Sequence, residues 1–91
     1  MHAVVVRVTI RDQAAGQQML EEQVVPMVSS APGFVNGYWM RRDDSGMAVI
    51  LVESEEAAQG MAEQVRGPEG AGGEGPVTLE DVEIREVVAQ A

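Results

Sequence analysis

The sequence predicts an α+β fold of six elements, strand, helix, strand, strand, helix, strand, with the strands in one antiparallel sheet and both helices on one of its faces. Two apolar runs are the main reason. Ala3-Val4-Val5-Val6-Arg7-Val8-Thr9-Ile10 and Met47-Ala48-Val49-Ile50-Leu51-Val52 are apolar at odd and even positions alike, whereas a strand with one face in water alternates apolar with polar. Both runs therefore belong in the middle of a sheet that is covered on both sides. The second reason is the helical spacing of apolar residues after each of these runs.

After the first strand, Ala15, Met19, Leu20, Val24, Met27 and Val28 share one helical face. Pro26 lies inside this pattern and should kink the helix or reset its last turn, because it has no amide donor and its ring crowds the carbonyl four residues back. The helix ends before Pro32-Gly33. Phe34 to Arg41 then reads as the second strand, with Phe34, Asn36, Tyr38 and Met40 on one face. Asn36-Gly37 is a favoured two-residue turn, but turning there leaves only Phe34 and Val35 for a strand. Asp43-Asp44-Ser45-Gly46 instead separates two full-length strands, which form a hairpin.

Ser54 before Glu55 and Glu56 suits a helix start, since its hydroxyl can cap free amides and the carboxylates lie at the positive end of the dipole. Ala57, Ala58, Met61, Ala62 and Val65 supply a face of mostly small residues that can approach a sheet closely. Gly67 to Pro76 holds five glycines in ten residues. It reads as a mobile connector; a phosphate cradle is disfavoured, because no strand leads into it, no helix follows, and it carries two glutamates and no lysine. In the last strand Val77 and Leu79 are apolar at odd positions, but Val82, Ile84 and Val88 at even ones, so Glu80-Asp81 marks a bulge. Asp81, Glu83 and Arg85 point outward, as charges on an edge strand do.

With right-handed crossovers this order gives a split β-α-β sheet of ferredoxin-like type, strand order 4-1-3-2, in one domain over residues 1–91. Strands one and three are then central, and they are the two doubly apolar runs. The helix-free side of the sheet remains apolar. A second copy of the chain, forming a homodimer, would cover it and bury area worth about 25 cal/mol per Å².

Composition narrows the functional classes. A chain of 91 residues folding alone buries only about 60 to 65% of its unfolded surface. The formal charge of −9 is carried by the second half, and there is no lysine, which argues against nucleic acid and against an anionic membrane surface as partners. The absence of cysteine removes thiolate chemistry and disulfides. No signal-peptide pattern follows Met1-His2, and no apolar stretch reaches transmembrane length, so a cytoplasmic location is expected.

Ala31-Pro32-Gly33-Phe34-Val35, Tyr38-Trp39 and Val52-Glu53-Ser54-Glu55-Glu56-Ala57-Ala58 resemble the small dimeric α/β-barrel proteins of the antibiotic-biosynthesis-monooxygenase type. The resemblance spans nearly the whole chain. It implies a homodimer and an apolar cavity between sheet and helices. It also implies one of three roles: cofactor-independent oxygenation of an aromatic polyketide or quinol, haem degradation, or a non-enzymatic role as a binding, stress or regulatory module. The residues that match the polar lining of such a cavity are Asn36, Tyr38, Trp39 and Arg41, as contacts to a small hydrophobic or aromatic substrate. Haem degraders of this type use a histidine on a helix, which this chain lacks, so no cofactor is expected.

The residues themselves narrow the chemistry further. His2 is the only histidine, so histidine-based metal sites and nucleophile-histidine pairs are excluded unless residue 2 is ordered and reaches a pocket; an exposed terminal side chain is expected. Tyr38 and Trp39 are strand neighbours and face opposite ways, one toward the helices and one toward the dimer side. Asn36 and Tyr38 form a polar pair that can hold a carbonyl or phenol, or satisfy backbone groups near Gly37. Arg7 in a central strand needs an acid, for which Glu53, Glu83 and Glu86 are candidates in a buried ion pair. The paired acids at Glu21-Glu22, Asp43-Asp44, Glu55-Glu56 and Glu80-Asp81 read as solvated surface charge. The six methionines fill core gaps or pad a pliable pocket.

Overall fold

The computed structural model describes residues 1–67 and 75–91. Strands β1 (His2–Ile10), β2 (Phe34–Arg42), β3 (Ser45–Val52) and β4 (Val77–Glu86) form one sheet in the order β2-β3-β1-β4, with every neighbouring pair antiparallel. This is the ferredoxin-like order expected from the sequence, and β1 and β3 are its central strands. Residues 68–74 of the glycine-rich connector lie outside the described residues, and with them the expectation of mobility there.

The first helical segment is built in three pieces. In α1 (Gln13–Met19), the Asp12 carboxylate accepts from the Ala15 amide at 3.0 Å, a standard N-cap. A π-helical turn, Leu20–Val24, follows and leads into α2 (Val25–Ser29). Within it the Val25 amide reaches the Leu20 carbonyl, five residues back. Pro26 is the physical reason: it has no amide to donate, and widening the turn before it moves its ring off the carbonyl of residue 22. The expected kink is thus a π turn. The helix α3 (Glu55–Arg66) is capped by Ser54, whose Oγ accepts from the Ala57 amide at 3.1 Å. Its buried residues Ala58, Met61, Ala62 and Val65 pack on the sheet.

Val4, Val6, Ala48, Ile50 and Val52 point from β1 and β3 into the core under the helices, where Val28 of α2 meets them. Two bulges set the faces of the edge strands. Glu80 is extra between Asp81, opposite Arg7, and Leu79, opposite Val8, so the expected bulge is present and Val77, Leu79, Val82 and Ile84 share the helix face. Val35 is extra between Phe34, opposite Val52, and Asn36, opposite Leu51. This corrects the expectation that Phe34 shares a face with Asn36, Tyr38 and Met40: Phe34 packs against the core under the helices, and the other three lie on the open face.

Four further expectations change. The β2–β3 turn is tighter than four residues, since Arg42 and Ser45 already pair, and Asp43 takes the left-handed conformation at φ 54°. Arg7 pairs with Asp81 at 3.2 Å instead of Glu53, Glu83 or Glu86, and its side chain is 48% exposed, because the bulge brings Asp81 opposite it. The pair lies at the surface and is not buried. His2 is an ordered strand residue, with its side chain 18% exposed and Nε2 3.9 Å from the Glu55 carboxylate, because β1 pairing begins there, with Val52 and Glu86. Val88 lies past the end of β4 and is 87% exposed.

The two sequence stretches that flank β2 and α3 meet in space. The Glu53 amide donates to the Gly33 carbonyl at 2.8 Å. Gly33 has φ 81°, and a methyl group there would fall 2.8 Å from the Ala57 Cβ, so glycine is required on both counts.

Candidate functional site

Sheet and helices do not close completely on one another. Between the helix face of the sheet and the first helical segment lies a cavity of about 150 Å³. Its floor is Val6, Val8 and Ile10 of β1 with Gly46, Ala48 and Ile50 of β3. Its roof is Gly16, Met19, Leu20, Val24, Met27 and Val28, so the π turn contributes part of the roof. Trp39 walls one side.

Two glycines shape this space. Gly46 lies on the helix face opposite Arg41, and a methyl there would come within 2.8 Å of Val8 Cγ2. The Trp39 ring folds back over Gly37, where a methyl would meet Cη2 and Cζ3 at 2.9 Å. A larger residue at position 37 would therefore push the indole from its place.

The polar lining is confined to Gln13, Gln17 and Arg41. The Gln13 amide donates to the Asp43 carbonyl at 2.9 Å and the Gln17 amide to the Glu21 carboxylate at 2.9 Å. Arg41 makes no ion pair or side-chain hydrogen bond among the described residues, whereas Arg7, Arg11, Arg66 and Arg85 each engage an acid or a carbonyl. An apolar cavity with one charged residue in its lining can hold a small ring and an electronegative substituent.

Strand alternation divides the four candidate residues. Trp39 and Arg41 line the cavity. Asn36 and Tyr38 pair with Leu51 and Val49 on the opposite, open face, where Tyr38 is 56% exposed. Of the roof, Met19 and Met27 are among the methionines that the sequence offers for padding a pocket; Gly16, Leu20, Val24 and Val28 carry no signal beyond the helical stripe from Ala15 to Val28, and Gly46 carries none. A second hollow, a more open groove of about 400 Å³, is lined by Ala31, Pro32, Gly33, Ala57 and Met61 together with Glu53, Ser54 and Gln64, and none of the four candidate residues belongs to it.

No protein-family model matches the chain, and no curated protein matches it significantly. Among solved structures it is similar to the heme-degrader MhuD from Mycobacterium tuberculosis, with two hemes bound in its active site, at 21% identity and a TM-score of 0.57 over 98% of each chain. The chain shares that protein's fold. That likeness is one of fold.

Haem does not fit the residues present. The lining holds no histidine, cysteine or tyrosine, and His2 lies beside Glu55, away from the lining. Met19 and Met27 alone lack the imidazole that haem proteins pair with a thioether. Among the described residues no three acids or histidines gather as a metal site, and no helix is long and apolar enough to cross a membrane.

Proposed function

We propose that this chain is a homodimeric, cofactor-independent monooxygenase acting on a small quinol-like aromatic ring. The apolar cavity of about 150 Å³ walled by Trp39 carries the reading, because it matches a single ring in size and offers it almost wholly apolar walls. The likeness to a heme degrader supports an activity on a conjugated ring. Trp39 stacks on or abuts the substrate, and Arg41 stabilises negative charge on a ring oxygen as it develops. A hydroquinone and dioxygen give a hydroxyquinone and water, one oxygen atom entering the ring, so no outside reductant is needed. The substrate supplies the electrons.

Asn36 and Tyr38 serve the open face of the sheet. Tyr38, Met40 and Met47 are 56%, 48% and 36% exposed there, beside the half-buried Val5, Val49 and Leu51. An apolar surface of this kind marks an interface, and a second copy pairing by a two-fold axis covers it on both chains at once. The dimeric unit spans residues 1–91.

A non-enzymatic binding module is the second reading. The cavity lining carries no carboxylate or imidazole to act as a general base, which favours capture of a ligand without turnover. Oxygen uptake separates the two. Consumption with hydroquinone that is lost in Trp39→Ala supports the oxygenase; saturable binding with no consumption supports the module; neither contradicts both.

A further inference from the structure

Building on that reading of the cavity, we infer that its quinol-like ligand also bears a carboxylate, with the ring inside and the carboxylate, beside the ring oxygen, on Arg41. Three observations point this way. Arg41 is the sole charged residue of the lining. The neutral donors beside it are already engaged, Gln13 by the Asp43 carbonyl and Gln17 by Glu21, so the guanidinium is the free donor. In a chain with fifteen acids and six basic residues, an arginine of the cavity lining with no acid partner among the described residues stands apart from Arg7 and Arg85, which are paired. Arg11, Arg42 and Arg66 are also without an acid partner, but Arg11 and Arg66 donate to backbone carbonyls, and strand alternation turns Arg42 to the open face.

Arg41 is an exposed residue at the rim of the cavity. Arg41 faces Gly46 across the β2–β3 ladder, where Val8 and Ile10 of the floor lie over the glycine. A guanidinium presents two parallel donors that match a carboxylate, which a neutral amide of the same shape cannot replace. A neutral ring gains only the apolar walls. A cationic ring is repelled.

Trp39 is the only tryptophan and reports occupancy directly. Its fluorescence is titrated with benzoate, the isosteric benzamide and hydroquinone, in the intact chain and in Arg41→Gln, with thermal midpoints checking that the variant folds. Benzoate is expected to bind about fivefold or more tighter than benzamide, with that preference abolished in Arg41→Gln. Equal binding of benzoate and benzamide, or a preference that survives in Arg41→Gln, overturns the carboxylate assignment and leaves the cavity as a ligand site. Saturation by hydroquinone alone has the same meaning. If none of the three saturates, both the assignment and the ligand role of the cavity fall.

Discussion

Gly37 and Trp39 occupy the same space: a methyl group on Gly37 would stand 2.9 Å from two carbons of the Trp39 ring. The two residues alternate on the helix face of β2, and the strand places the indole against the core only because its neighbour has no side chain. Gly37→Ala is therefore expected to tilt Trp39 and cost about 1–3 kcal/mol. Urea unfolding measures the loss, and a shift in the emission maximum of Trp39 shows its cause. An unchanged spectrum would mean that the ring is held by something else.

Gly16 gives the opposite sign. A methyl there would lie 3.5 Å from Ile10 Cγ2 and 3.7 Å from Val77 Cγ1, ordinary contact distances, and Gly16 stands inside α1, where alanine is favoured by about 1 kcal/mol. Gly16→Ala should raise the thermal midpoint. It should also weaken binding of a single-ring ligand, because Gly16 is part of the cavity roof. Stability and affinity moving in opposite directions would separate a ligand chamber from a packing defect.

Ser54→Ala removes the acceptor of the Ala57 amide and should cost about 1 kcal/mol, while Ser54→Asp should keep most of the cap. Denaturant midpoints of the pair check this. The change is expected to leave cavity binding intact, because Ser54 is not part of its lining.

The Arg7–Asp81 pair distinguishes a wet sheet face from a covered one. In a lone chain both side chains are nearly half exposed, and Asp81→Ala should cost under about 1 kcal/mol. Covered by a second copy, the unpaired Arg7 becomes costly, by about 3–5 kcal/mol. The homodimer reading expects the larger value, and a midpoint that rises with protein concentration. A small, concentration-independent loss contradicts it.

Much of the fold was legible in the chain because apolar pattern and topology agree. The doubly apolar runs named the central strands, and the phase change between Leu79 and Val82 located the bulge at Glu80. The bulge at Val35 left no such mark, since Val35 is apolar and reads equally well in a regular strand. Proline signalled a disturbance at position 26, but whether it becomes a kink or a π turn depends on how the roof seats on the sheet. Alternation along β2 already separates Trp39 and Arg41 from Asn36 and Tyr38. The cavity was not legible, because a void arises from three-dimensional packing between α1, the π turn and the sheet, and no local spacing encodes it.

The central claim is that a single aromatic ring occupies the chamber beneath the first helical segment. Backbone amide shifts followed by NMR during a hydroquinone titration, under nitrogen to prevent oxidation, test it most directly. Saturable shifts clustered at Val8, Gly16, Trp39 and Ala48 are the expected result. Shifts confined to the outer face, at Tyr38, Val49 and Leu51, or no saturable shifts at all, would contradict it.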